Sequence, residues 1–568
     1  MISRLFHQPS TIIHQRLLPL LLLATLLPSR ASQPIPLGPL PPFWRYSAAL
    51  GPFLESGYPL VEIPDYLTRG DFPYRKRPYS REVPFADHLS IVRLLGGCAK
   101  TASRKGDPAS ADLAYRDAHG KIQYRLDLLE PRLRPYLDNG YKNLTLVLDN
   151  VPWCFPAKPV LGSSLGQSAP PADPAEWRDF ITALCRKLKV IVGPDAARRL
   201  RFRVGTENNG TARFDGSQAR FERHYADTAA AVQSILPGAK FGPFNISGVS
   251  VAGLDRANVN AFRLAQFCFA QPPGHSPIPF DWVAYSRYYR PGTDPDDSAK
   301  VCRQVWDEFA RRVPQLKGVS REIHEFGIAP WGELAKGQFP SAEPGALGAA
   351  LTCQMMWRLR QAGIDRLWHW PVDDHFRDRG NRLLSLFTSQ AWLLSVMDAM
   401  AGGNAFLFTP EAPSPAKTKY LMAASFKPGR ALLMVSAYNT DASRHDPETV
   451  RFRIPATLLP AARNARFVSL TRQNSMYDGI RRQLAAAGLL NPDFVTRPDR
   501  LGSIREMAQG RPGEAFVGDH FQDYTTQWVQ SLTLHPLDPA IGKIAPDPAG
   551  TLLTLHLSPP EVLVIDLR

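Results

Sequence analysis

Two acidic residues lie where strand-like runs end. The run Arg-Phe-Arg-Val-Gly (201–205) leads into Thr206-Glu207-Asn208-Asn209-Gly210, and Arg-Glu-Ile-His (321–324) ends at Glu325-Phe326-Gly327. Two carboxyl groups on opposite sides of one bond are the equipment for hydrolysing a glycosidic linkage. One donates a proton to the leaving oxygen while the other stabilises or captures the oxocarbenium-like carbon. A gap of roughly 5–5.5 Å between them gives retention through a glycosyl-enzyme, and roughly 6.5–9.5 Å gives inversion. The chemistry calls for no metal and no cofactor. Trp153, Tyr288, Trp331, Trp368 and Trp370 also fall at or just after strand ends, where flat rings stack on sugar C–H faces; singly, each is better read as core or rim packing. Either glutamate alone would be an ordinary strand-end acid making a surface ion pair; only the two together point to this chemistry. His324 is expected on the opposite side of its strand from Glu325, in the core.

Elements that bring such acids together can be read from the periodicity. Strand-like and helix-like segments alternate from about residue 58 to 400, the pattern of a parallel sheet or barrel. The strand candidates are Tyr58–Ile63, Ser90–Leu95, Leu144–Asp149, Arg201–Gly205, Lys240–Ile246, Asp281–Ser286, Ser320–Glu325 and Ile364–Trp370. Together they suit a (β/α)8 TIM barrel, whose chemistry sits at the carboxyl ends of the strands. Asp215-Gly-Ser217 starts a helix that Pro237-Gly238 stops, and Pro344 opens one that Gly363 closes; helices are also expected over Gln123–Leu137 and Pro174–Val190. The Gly-, Ser- and Pro-rich stretch Lys158–Pro174 reads as a surface insertion or a cover over the barrel mouth. Beyond about residue 405 short β-rich runs separated by Pro and Gly indicate a C-terminal β-sandwich, with one helical interruption near Ile480–Gly488. The expected organisation is a signal peptide over 1–31, a barrel with an N-terminal extension over 32–404, and an accessory β-sandwich over 405–568.

Composition narrows the class. With 44% hydrophobic and 21% charged residues the chain reads as globular rather than disordered. Arg4 and Arg16 precede an apolar run from Leu17 to Leu27, and Ser29-Arg30-Ala31 suits cleavage, so export to the periplasm or the medium is expected. The apolar run is too short to span a bilayer, and no later stretch is long and apolar enough, so no stable membrane span is expected once the signal is removed. The net charge of +15 falls to +12 when Arg4, Arg16 and Arg30 leave with the signal, which fits an anionic polysaccharide or envelope as partner, although the arginines, spread along the chain, mostly read as a solvated surface. Zinc-finger spacing, basic-aromatic repeats and basic helices are absent, which argues against nucleic acid. Gly-rich phosphate loops, a Gly-x-Ser-x-Gly elbow and metal-ligand His pairs are also lacking. Cys98 and Cys154, each after a strand end, are the pair to test for a disulfide, though connectivity is not fixed by sequence.

The motifs resemble glycoside hydrolase family 39, the group containing β-xylosidases, α-L-iduronidase and some bacterial exopolysaccharide hydrolases. Val204-Gly-Thr-Glu207-Asn-Asn209 is similar to that family's Trp-Asn-Glu-Pro-Asn segment, and Ile323-His-Glu325-Phe-Gly to its Thr-Glu-Trp segment, 118 residues later. Pro41-Pro-Phe-Trp44, Val92-Arg93-Leu-Leu-Gly96, Phe280-Asp-Trp-Val-Ala-Tyr-Ser-Arg-Tyr288 and Leu367-Trp368 follow in the family's order. The resemblance covers about residues 36–400. It implies a retaining hydrolase with Glu207 as acid/base and Glu325 as nucleophile, and with Arg93, Thr206, Asn209, Ser286, Tyr288, Trp368 and Trp370 against a carbohydrate substrate. Thr206 replaces the family's Asn, and Leu95 and Ser286 each replace a His, which implies a changed sugar preference. The competing expectation is a carbohydrate-binding envelope protein on a barrel that has lost hydrolysis.

Overall fold

The computed structural model describes residues 33–39, 91–93, 95–96, 112–130, 133, 137, 144–328 and 345–568, apart from short stretches at 164–165, 211–212, 249, 273, 275–276, 370–372, 378, 381–382, 388, 401, 413–416, 460–463, 498–499, 521–522 and 524–530. Seven of the eight expected strand regions form parallel strands in chain order: β1 (Ile91–Arg93), β2 (Thr145–Val147), β3 (Arg201–Val204), β4 (Lys240–Pro243) with its continuation β5 (Ile246–Ser247), β6 (Trp282–Tyr289), β7 (Ser320–Ile328) and β8 (Arg366–His369). The ladders run β1-β2-β3-β4 and β5-β6-β7-β8, joined through the single segment 240–247. The remaining candidate, Tyr58–Ile63, lies outside the described residues, and among the described residues the arc is open. It is nevertheless curled. Arg201 on β3 reaches Glu322 on β7 at 2.5 Å, although three strand spacings, roughly 14 Å in a flat sheet, separate their strands.

Helices pack along the outside in chain order: α1 (Pro174–Val192), α2 (Gln218–Ile235), α3 (Ala261–Phe269), α4 (Pro295–Arg312), α5 (Gly345–Gln361) and α6 (Ser389–Met400), each mostly against the next. Their ends follow local chemistry. The Asp173 carboxylate accepts from Ala175 N, with Pro174 at the first helical position, and Ser217 Oγ accepts from Arg220 N. The Trp177 indole N–H donates to Thr228 Oγ1 at 2.8 Å, tying α1 to α2 while the ring stays buried. The expected helix over Gln123–Leu137 is corrected at its start. Ile122–Tyr124 pairs with Ala114–Arg116 in a hairpin, because Gly120 at φ +76° closes a turn between two short β-prone runs.

The C-terminal region holds a seven-stranded antiparallel sheet (Asn404–Phe408, Thr418–Lys427, Arg430–Asn439, Glu561–Leu567, Ala465–Leu470, His535–Pro536, and Ile35–Pro39 on the other edge) and a three-stranded one (Glu448–Pro455, Gly550–Leu557, Gly542–Asp547). One apolar cluster, including Met422, Leu433, Phe452, Leu555 and Ile565, is common to both. Two features were not legible in the sequence. Residues 35–39 pair with 404–407, far away in the chain. The helical interruption is four helices between Met476 and Asp519, short pieces set by caps such as the Ser503–Glu506 capping box rather than by a long apolar stripe.

Helix α5 shows how the two regions join. A single stripe of Leu347, Leu351, Met355 and Leu359 is expected, yet nearly the whole helix is buried. Its outer side meets the seven-stranded sheet: Gln354 donates to Lys419 O and Ser436 O, Ser436 Oγ donates to Ala350 O, and the Trp357 indole N–H lies 3.4 Å from Met434 Sδ. Cys185, Cys268, Cys302 and Cys353 are buried free thiols; Cys154 is also free, and its expected partner Cys98 lies outside the described residues.

Candidate active site

The first glutamate sits on a reversal that few residues permit. Gly205 takes φ +85°, and a Cβ there would fall 1.9 Å from Asn208 Oδ1, so side chains are excluded on two counts. Glu207 itself adopts φ +51°, a left-handed conformation costing a non-glycine residue roughly 1–3 kcal/mol. Its N–H donates to Asn245 O (3.0 Å), its C=O accepts from Gly210 N (2.8 Å), and Arg213 donates to its Oε2 (2.8 Å). The carboxylate remains partly open to solvent.

The second glutamate is aimed by a β-bulge. On β7, Ile323 pairs with Tyr285 but Glu325 pairs with Ser286, leaving His324 as the extra residue. Strict alternation would turn His324 and Glu325 to opposite faces; the bulge instead turns both toward the interior of the arc, which corrects the expectation for His324. Ile323 and Phe326 on either side point outward into the apolar core. Glu325 then accepts from Asn245 Nδ2 at Oε1 (3.1 Å) and from Tyr288 Oη at Oε2 (2.9 Å).

Asn245 therefore joins the two acids. Its carbonyl takes the N–H of Glu207 while its side-chain amide donates to Glu325 and, at 2.6 Å, to Ser286 Oγ. Tyr288 lies in the field of both. Burial first, and then the negative charges of Glu325 and Glu207, push its phenol well above the ordinary value, so it stays a donor. Asn245 was not singled out from sequence; its signal was its position at the end of the fifth strand candidate.

Beneath the acids runs a buried polar network. Arg203, 1% exposed, donates to Thr206 Oγ1 (2.8 Å) and to His324 Nδ1 (3.3 Å), and Thr206 donates to Asp149 Oδ2 (2.5 Å). His324 Nε2 meets Glu322 Oε2 (2.7 Å), which also accepts from Arg201. A guanidinium only donates, so Nδ1 must accept and Nε2 must carry the proton, which makes His324 the neutral tautomer. Burial pushes its imidazole down to about 4, against the opposing pull of Glu322. Burial alone would raise the Glu322 carboxyl, but Arg201 and the His324 hydrogen bond hold it down at about 2. The sequence signal was the alternation Arg-Phe-Arg and Glu-Ile-His, charged residues at every second position of strands expected to be buried.

The other sequence-expected residues are distributed as follows. Thr206 is buried in this network, and Ser286 accepts from Asn245. Asn209 spends both ends of its amide on the Ser247 backbone, Nδ2 to Ser247 O (2.8 Å) and Oδ1 from Ser247 N (2.9 Å), so it pins the Glu207 loop to β5. Trp368 is buried, edge-on to His324 with centroids 5.0 Å apart and 5.7 Å from the Arg201 guanidinium, which makes it interior packing rather than an open stacking surface. Trp153 is half-buried, and its backbone N–H donates to Asp112 Oδ2. Leu95 lies fully in the core. Arg93 ends β1, its side chain lying outside the described residues, as do Trp331 and Trp370. The Lys158–Pro174 stretch forms a small hairpin, Leu161–Ser163 with Gly166–Gln167, after which Gln167–Pro170 pack beside Thr206 and line, with Asp149, Asn208 and His224, a cavity of about 40 Å³. Among the described residues no group of three or more His, Cys, Asp or Glu side chains is arranged to hold a metal.

No family model matches the chain. In sequence it is similar to an α-1,4-L-rhamnosidase from Formosa agariphila, 27% identical over 311 residues, which covers 52% of this chain and 60% of that enzyme's length. In structure it is similar to a monomeric β-xylosidase from Caulobacter crescentus CB15, 15% identical, over 79% of this chain and 85% of the other (TM-score 0.53). A family 39 glycoside hydrolase from Xanthomonas axonopodis pv. citri is 14% identical over 80% and 85% (TM-score 0.52). A bacterial orthologue of human α-L-iduronidase is 12% identical over 94% and 82% (TM-score 0.59). At such identities the structural likenesses show a shared fold.

Proposed function

We propose that this chain is a retaining glycoside hydrolase, related to family 39, that cleaves an oligosaccharide or polysaccharide outside the cytoplasm. The observation that carries the reading is that both acids meet one residue, Asn245, through the backbone N–H of Glu207 and the carboxylate of Glu325. The rhamnosidase and the fold shared with xylosidases support it. The reading takes the parallel strands as a (β/α)8 barrel over 32–404, the two antiparallel sheets as an accessory β-sandwich over 405–568, and residues 1–31 as an export signal.

In the first step the Glu325 carboxylate attacks the anomeric carbon while Glu207 gives its proton to the departing oxygen. In the second, Glu207 takes a proton from water as that water displaces Glu325. Tyr288 and Asn245 each donate to one Glu325 oxygen and fix the carboxylate plane for attack. The Thr206 hydroxyl, already committed to Asp149 and Arg203, is drawn away from a sugar 2-hydroxyl, which is consistent with an altered sugar preference. An α-L-rhamnoside is the first substrate to try, because the similar enzyme is a rhamnosidase, and the +12 charge fits a polyanionic chain bearing it.

The test is covalent trapping by a fluorosugar analogue of whichever nitrophenyl glycoside the protein cleaves. The peptide containing Glu325 should gain the sugar's mass in the parent and not in Glu325→Gln. Equal labelling of both proteins would refute the assignment of the nucleophile. A folded parent that cleaves no glycoside or polysaccharide would favour a barrel that only binds carbohydrate.

A further inference from the structure

Arg203 occupies a position that neither glutamate's own contacts explain. It is buried on β3, and it touches the residue immediately before each acid: Nη2 donates to Thr206 Oγ1 at 2.8 Å, and Nη1 donates to His324 Nδ1 at 3.3 Å. The Thr206 link acts on the strained turn carrying Glu207, and the His324 link on the bulge that aims Glu325. Both partners are braced from behind, Thr206 by Asp149 and His324 by Glu322, and Glu322 is held in turn by Arg201 and by Ser320 Oγ at 2.7 Å. Glu322 faces a second guanidinium as well, that of the partly exposed Arg366 at 3.8 Å, so this carboxylate is not buried without opposite charge. A planar guanidinium with diverging donors holds two partners at a fixed separation; a lysine ammonium on a flexible stem does not.

Resting on the reading of Glu207 and Glu325 as the acting pair, we propose that Arg203 is the positioning residue that sets the spacing between the two carboxyl groups, through Thr206 on one side and His324 on the other. It touches no substrate. Its effect is on the alignment of reacting groups, where a displacement of about 1 Å costs on the order of 100-fold in rate. The loss should fall on kcat, because ground-state binding depends on other contacts.

The experiment compares Arg203→Lys, His324→Asn, His324→Phe and the Arg203→Lys/His324→Phe double variant with the parent on a nitrophenyl glycoside, near-UV circular dichroism confirming each fold. Asn presents an oxygen near the place of Nδ1; Phe keeps the ring and removes the acceptor. Arg203→Lys and His324→Phe should each lower kcat about 100-fold with KM within about twofold, the double variant should be no worse than either, and His324→Asn should recover at least tenfold over Phe. A folded Arg203→Lys with parental kcat, or strictly multiplying losses in the double variant, overturns the proposal. If Arg203→Lys does not fold, equal kcat for the two His324 variants overturns it. Glu325→Gln separates the two levels: parental turnover in that variant refutes the underlying reading, whereas an inactive Glu325→Gln beside a fully active Arg203→Lys refutes the role of Arg203 alone.

Discussion

Acid should loosen this fold well before its carboxylates are neutralised. His324 and His224 are both buried, and burial pushes each imidazole down to about 4 from an ordinary value near 6.5. His224 sits among Trp177, Phe214 and Phe221, where a charged ring would lose its hydration. In the unfolded chain each histidine binds a proton as the pH falls through about 6.5; in the folded chain neither does so until about 4. The unfolded state therefore holds more protons throughout that window. The stability these groups confer is complete above pH 6.5 and is lost as the pH falls toward 4, by about 1.4 kcal/mol per pH unit for each fully shifted histidine. Between pH 6.5 and 4.5 the two together remove at most about 5 kcal/mol, comparable with the whole stability of many domains. Glu322, held at about 2 against an ordinary 4.5, keeps its contribution through this range and loses it progressively as the pH falls from about 4.5 to about 2. Urea midpoints at pH 7.5, 6.5, 5.5 and 4.5 for the parent, His224→Gln and His324→Asn measure the effect. Each variant should flatten the decline by about half. A parent whose midpoint is unchanged from pH 6.5 to 4.5, or variants with the parent's full slope, would refute the argument.

Two further outcomes follow from the geometry. Gly242 on β4 lies against the Trp282 indole, and a Cβ there would fall 2.3 Å from the ring, so Gly242→Ala should cost about 3 kcal/mol in urea unfolding; an unchanged midpoint would refute the clash. Glu207→Gln should reduce kcat/KM on nitrophenyl glycosides far less than on polysaccharide, because kcat/KM reports the first step and a good leaving group needs little protonation there; equal losses in kcat/KM on both would count against Glu207 as the acid.

Local rules made much of this protein readable from its residues. Strand periodicity located seven parallel strands, and Asp173, Ser217 and their neighbours marked helix ends, because caps and alternation are decided within a few residues of chain. The same locality exposed Glu207 as a strand-end acid; Glu325, expected at the end of its strand, lies three residues before it, because pairing with β6 carries β7 on to Ile328. What the chain could not display alone was the meeting of distant parts. The pairing of 35–39 with 404–407 and the burial of both sides of α5 depend on partners hundreds of residues away or in another sheet. The bulge at His324 reversed the face that alternation assigns, since one extra residue in a ladder is set by pairing and not by composition. Asn245 and Arg203 gained their places only when β3, the β4–β5 segment and β7 curled toward one another. A hydrogen bond is satisfied by whatever group arrives within about 3 Å, and only tertiary packing determines which group that is.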